Sequence, residues 1–267
     1  MPLQVYERNE RAIDRAAKGN RPDIYNLHKG QTTLRVMGPY SEEGVWFRKI
    51  WEHYIQIGDD RYIFCCENPD GGECAVCDLG VEFIKEESEK VVELGKELKP
   101  RLRVLLNTIV LSDPQGGSPS SGIQVTEVPN SVFKGMNEYD RDIAAGYGDI
   151  TSLEAGFNII ISKEGAGLAT TYSVKATRDR SSIVDDLSKQ GIDINNFSLF
   201  NLDQVKSPRD PSEIEVIAST ISEFASHLEA ESPSARALPV VDAEGEGEVS
   251  TSNAAEVPEI PPAPSRA

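Results

Sequence analysis

Apolar and polar positions alternate along much of this chain with the two-residue period of strands, interrupted by stretches where apolar residues recur every three or four positions. Residues 32–37 and 45–51 carry β-branched and aromatic side chains and flank the turn-rich segment from Gly38 through Pro39 to Gly44. Residues 53–57 and 61–66 read as a hairpin turned by Gly58, Asp59 and Asp60. The period then changes. Over 78–99, Ile84, Val91, Leu94 and Leu98 fall on one helical face, and Pro100 ends the helix because a residue before proline avoids the α region. Strands are predicted at 101–111 and 122–128, joined by a Pro/Gly/Ser loop, then a helix over 130–142 capped by Asn130 or Ser131. A second hairpin pairs 157–162 with 170–176 around Gly165, Ala166 and Gly167, and an amphipathic helix covers 211–228. Strands interrupted by helices predict an α+β domain built on a small barrel.

Charge changes the picture at the two ends. The 267 residues carry a formal net charge of −17. Residues 231–267 hold seven carboxylates, Glu231 to Glu259, against Arg236 and Arg266, with abundant Pro, Ala, Ser and Gly and no aromatic residue. Such a segment cannot bury enough surface to offset its ordering entropy, so it is predicted to be a disordered acidic tail. Residues 1–25 read as a polar arm, 26–206 as the core and 207–230 as a C-terminal helix. Without the tail the chain still stands at −12, from 25 basic and 37 acidic residues, so a nucleic-acid site must be a local stripe. No apolar run approaches the roughly 18 residues of a membrane span, and the N-terminus has no signal-peptide pattern. A soluble, intracellular protein is expected.

All four cysteines lie within 65–77, with His53 a short strand away. Cys74 and Cys77 form a C-x-x-C turn; one further thiolate and an imidazole complete a tetrahedral zinc set. Four protein ligands leave no open position for water, which makes one structural Zn2+ rather than a catalytic metal. Disulfides, a redox C-x-x-C and unliganded thiols are the alternatives; an intracellular setting disfavours the first, and no βαβ pattern precedes Cys74 to favour the second. Neighbours on a strand point to opposite faces, so only one of Cys65 and Cys66 can join the set, and periodicity does not choose. His28 is distant in sequence, and His227 sits in the last helix as a solvated side chain.

No enzyme motif is complete. Gly165 and Gly167 lack the third glycine of a dinucleotide site, and the H-x-E and P-C-x-x-C pair of zinc deaminases is missing. Aromatic residues instead crowd the first strands (Tyr40, Trp46, Phe47, Trp51, Tyr54, Tyr62, Phe64) beside Arg35, Arg48, Lys49 and Arg61. Lys96, Lys99, Arg101 and Arg103 follow at a helix end and the next strand. Cations that hold phosphates beside rings on which bases stack suit single-stranded nucleic acid. A zinc-ribbon protein–protein adaptor and a zinc enzyme are the rival classes.

The spacing His53-x12-Cys66-x7-Cys74-x2-Cys77, the strand from Leu105 to Pro114 and the segment from Gly156 to Lys163 resemble the single-stranded DNA-binding proteins of T4-like bacteriophages. The acidic tail fits the same family. The resemblance implies an OB-type β-barrel with an inserted structural zinc subdomain, and His53, Cys66, Cys74 and Cys77 as ligands. It implies DNA contacts at Tyr62, Lys99, Arg101, Arg103 and Tyr172, beside Arg35, Arg48 and Lys49 from the aromatic strands. It further implies work in phage DNA replication, recombination and repair in the cytoplasm of the infected host, with replication and recombination proteins recruited through the tail and self-association along DNA. Two departures stand out: Val104 and Leu105 occupy places where the family carries aromatics, and residues 1–21 show no clear copy of its basic Ser/Thr arm motif.

Overall fold

The computed structural model describes residues 24–67, 73–115, 122–188, 193 and 198–230. All but the last two residues of the predicted arm, and the whole acidic tail, lie outside these described residues. Eight strands form one sheet: β1 (Ile24–Asn26), β2 (Gly30–Val36), β3 (Phe47–Ile57), β4 (Asp60–Cys66), β5 (Arg101–Ser112), β6 (Gln124–Pro129), β7 (Ile159–Glu164) and β8 (Thr171–Ala176). Helices α1 (Ala75–Phe83) and α2 (Glu89–Glu97) lie between β4 and β5, α3 (Asn130–Arg141) follows β6, α4 (Ile183–Ser188) follows β8, and α5 (Pro211–Ala230) ends the described chain. The architecture is mixed α and β, as the alternation of periods predicted.

The sheet is organised by β5. Its apolar run is buried from Val104 to Val110 because partners line both edges: β3 and then β2 on one side, β6 on the other. The one hydroxyl in that run, on Thr108, meets the hydroxyl of Thr126 on β6 at 2.6 Å. The pairing order runs β1-β6-β5-β2-β7-β8, with β3 and β4 branching from β5, and no pairing among the described residues closes it. Helix α3 lies against β5, β6 and β8, so it bridges strands that do not pair. Gly135 permits the close approach: a Cβ there would stand 3.0 Å from Cβ of Val174.

Two apolar cores follow. One packs Leu34, Val36, Val104, Leu106, Val128, Phe157, Ile159 and Ile161 beneath Val132, Phe133 and Met136 of α3. The other gathers Ile55, Phe64, Val76, Phe83, Val91, Leu94 and Leu98 around Ile214, Ile217 and Ile221 of α5. Burying each such side chain contributes about 1.5–3 kcal/mol. The helix predicted separately at the C-terminus therefore belongs to the core of the α1–α2 module.

Three expectations need correction. The single helix over 78–99 is two, because folding α2 back on α1 lets both apolar faces meet α5. Glycines make that contact possible: a Cβ on Gly95 would lie 2.8 Å from Cβ of Phe83 and 3.1 Å from the carbonyl oxygen of Gly80. Neither Asn130 nor Ser131 caps α3; Pro129 takes that position while still paired with Arg103, so the helix leaves the strand without a loop. The strands around Trp51 and His53 are one continuous β3, and its hairpin loop is only Gly58 and Asp59, with Gly58 at φ +56°.

Candidate metal centre and nucleic-acid interface

The pleat of β3 and β4 decides which cysteine reaches the metal set. Residues opposite each other on antiparallel strands share a face. Trp51 opposes Cys66 and His53 opposes Phe64, which places Cys66 and His53 together facing α1. Cys65 opposes Glu52 on the other face, where it packs with Ile50, Leu105, Val125, Leu202 and Val205. There burial, and then the neighbouring Glu52 charge, push its thiol up to about 11. Cys65 is a small hydrophobe.

Cys74 and Cys77 come from the start of α1, where the helix N-terminus favours thiolates. Nε2 of His53 lies 3.6 Å from Sγ of Cys74 and 3.4 Å from Sγ of Cys77, and Sγ of Cys66 lies 4.0 Å from Sγ of Cys77. All four donor atoms fall within 4.8 Å of one another. Tetrahedral zinc with ordinary bond lengths predicts about 3.8 Å between sulfurs and about 3.6 Å from nitrogen to sulfur. The residues fit the ion. His53 is 1% exposed, and its Nδ1–H donates to the Leu98 carbonyl at 2.7 Å, which leaves Nε2 free to coordinate. Three thiols this close cannot all ionise unaided: bonds to Cys74 and Cys77, and then burial, push Cys66 up, while bonds from Cys66 and Cys77 hold Cys74 down. A dication held among them would resolve the conflict. His28 is engaged elsewhere, 3.0 Å from Asp113, and His227 is exposed on α5.

On the face opposite the metal set, Ile50 opposes Arg103 and Glu52 opposes Arg101. Both guanidinium groups lie against the ring of Tyr54, at 5.5 Å for Arg101 and 5.4 Å for Arg103. Tyr172 of β8 pairs with Lys163 and packs with Val174 against the core beneath α3; burial raises its phenol pKa, and Arg103 lowers it in part. Exposed Lys99 immediately precedes this stretch of β5. The structure thus brings Arg101 and Arg103 together on Tyr54 and leaves Tyr172 with the core beneath α3. Sequence reading counted Tyr54 among the aromatics without giving it this place; only the β3–β5 register reveals it.

The other predicted contacts scatter. Arg48 and Lys49 border an open cleft of about 360 Å3 with Trp51, Glu67, Lys206 and Pro208. Nη1 of Arg48 donates to the Leu202 carbonyl at 2.7 Å, and its Nε lies 3.4 Å from Asp203, so much of this guanidinium is engaged within the protein. Nζ of Lys49 stands 5.9 Å from the Phe47 ring and 5.7 Å from that of Phe133. Tyr62 faces the core of the α1–α2 module, away from the arginine cluster. Arg35 is a correction: it is 0% exposed within β2, where Nη2 donates to the carbonyl and hydroxyl oxygens of Ser181. Burial lowers its pKa against the pull of Asp186 and Asp149. A side chain enclosed in this way offers nothing to a phosphate.

Three charged residues that the sequence did not single out lie beneath the arginines. Nζ of Lys206 donates to Oε1 of Glu52 at 2.7 Å and to Oε2 of Glu127 at 2.5 Å. Burial opposes the ammonium charge, but the bonds to Glu127 and Glu52 outweigh it and raise the Lys206 pKa. The phenol of Tyr54 donates to Glu52 and lies 3.3 Å from Oε1 of Glu127, which is 3.6 Å from Nε of Arg103.

With this geometry in view, the comparison with known families has a structural counterpart. The sequence pattern of the family described as gp32 DNA binding protein like matches residues 28–213. The chain belongs to that gp32-like family. The matched stretch contains all four metal-set residues and the Tyr54–Arg101–Arg103 cluster, and it stops before the acidic tail. No curated protein matches the chain as a relative.

Proposed function

We propose that this gp32-like protein binds single-stranded DNA without strong sequence preference, on the sheet face that carries Tyr54, Arg101 and Arg103. The observation that carries this reading is the placement of two guanidinium groups against one phenol ring within the family match. Cations neutralise phosphates, and the ring offers a flat surface to any base. A duplex hides its bases in its stack. Binding the separated strand alone draws the duplex equilibrium toward melted DNA by mass action. Lys99, exposed beside the cluster, and Lys49 at the cleft would extend the track for the backbone.

In the same reading, one zinc ion held by His53, Cys66, Cys74 and Cys77 is a structural clip that fastens the β3–β4 hairpin to α1 and supplies folding energy. On this reading, the sheet bridged by α3 is an OB-type barrel. The protein acts as a binder in phage DNA replication, recombination and repair in the host cytoplasm, not as an enzyme. Its acidic tail recruits replication proteins and competes with DNA for the basic face, and copies associate along the strand. Among the described residues no helix is long and apolar enough to cross a membrane.

The test is a tryptophan-fluorescence titration of the full chain with oligo(dT), set against duplex of equal length at several salt concentrations. Quenching by the single strand, with an affinity that falls by about 0.7 log units per log unit of salt for each phosphate neutralised, is expected. A silent titration would overturn the reading in favour of a protein–protein adaptor.

A further inference from the structure

Two acidic side chains lie almost wholly buried under a face read as a phosphate site, and their presence needs a reason. Glu52 from β3 is 3% exposed, and the side chain of Glu127 from β6, beside it, is 8% exposed. An uncompensated carboxylate 3.6 Å from Nε of Arg103 would compete with any phosphate for that guanidinium. Lys206 meets both carboxylates and arrives from a different part of the chain. Together the five charges leave one surplus positive charge; without Lys206 they leave none.

The same carboxylates hold the phenol of Tyr54, and the Tyr54 ring carries both guanidinium groups. A chain of contacts therefore runs from Lys206 through Glu52 and Glu127 to Tyr54, and from its ring to Arg101 and Arg103. Lys206 is itself only 18% exposed, with its ammonium turned to the two carboxylates, so it is poorly placed to touch DNA directly. We infer that Lys206 is a positioning residue for the single strand: it neutralises Glu52 and Glu127, so that Arg101 and Arg103 stay seated on Tyr54 while their charge remains available to phosphate. This inference rests on the single-strand reading above.

The experiment compares oligo(dT) affinity and its salt dependence for the full-length wild type, Lys206→Met, Glu127→Gln and the double variant Lys206→Met/Glu127→Gln. Lys206→Met should bind about tenfold more weakly, with the salt slope reduced by about 0.7 as Glu127 takes Arg103 out of play. The double variant restores the surplus charge and should return to within about threefold of wild type, and Glu127→Gln alone should bind about threefold more tightly. A lysine that merely pinned its own segment would give no such rescue. If Lys206→Met binds like wild type, or Glu127→Gln fails to restore it, the inference is wrong. If Lys206→Met does not fold, Glu127→Gln alone decides, and unchanged or weaker binding overturns the idea. If wild type itself ignores oligo(dT), the single-strand reading falls and this inference with it.

Discussion

Glu52 and His53 are consecutive residues of β3, both within a few per cent of complete burial, and they point into opposite worlds. His53 meets three thiols and the Leu98 carbonyl. Glu52 meets Lys206 and Tyr54, with Arg103 nearby on the same face. Cys66 and Cys65 repeat the division on the facing strand, one among metal donors and the other in an apolar layer. The metal side is assembled from residues within one short stretch of chain, at donor spacings that suit an ion tolerating little variation in distance. The charged side is assembled from β3, β5, β6 and a residue far along the chain, balanced only by mutual compensation. A buried polar group is tolerated either way, but the two solutions should fail differently.

The largest effect is expected on the metal side. Cys66→Ser, or chelation verified by metal analysis, should lower the melting temperature by roughly 10 °C or more, since a structural zinc site supplies folding energy directly. Cys65→Ser, one residue away, should keep the full metal content. Equal metal loss in both variants would erase the division between the two faces.

Next comes the charged side. Arg101→Ala combined with Arg103→Ala should weaken oligo(dT) binding by about 10–100-fold and reduce the salt slope by about 1.4, with zinc content unchanged. A loss of zinc in that variant would show that the faces are coupled rather than independent.

Arg35→Gln sharpens the comparison further. Its guanidinium is enclosed and tied to Ser181, so thermal stability should fall while the affinity of the folded protein for oligo(dT) stays within about twofold. A large affinity loss at unchanged stability would return Arg35 to the contact set.

The smallest effect is a pH dependence on the apolar side of the hairpin. Burial holds the Cys65 thiol neutral up to about 11, above its ordinary value of 9.0. The unfolded chain therefore loses this proton first on raising the pH, so stability should decline between about pH 9 and 11. Comparing denaturant unfolding of wild type with Cys65→Ala should show a flatter alkaline limb in the variant; identical limbs would remove the effect.

Short-range chemistry was readable directly. The zinc donors lie close together in sequence, hairpin turns announce themselves through glycine, and periodicity marks most strands within a few residues, because each of these signals depends on neighbours along the chain. Helix 78–99 misled because its break answers to α5, whose apolar face is specified more than a hundred residues later. Arg35 misled for the same reason: composition shows a cation beside aromatics, whereas burial under the Ser181 segment is a property of packing. The choice between Cys65 and Cys66 needed the register of β4 against β3, for which the sequence supplied only a family resemblance. Tyr54, Glu52, Glu127 and Lys206 carry no local signature at all. Chain sequence by itself determined most of the strand and helix menu and three of the metal donors, His53, Cys74 and Cys77; tertiary structure alone decided which charges face one another, because electrostatic compensation depends on distance through space and not along the backbone.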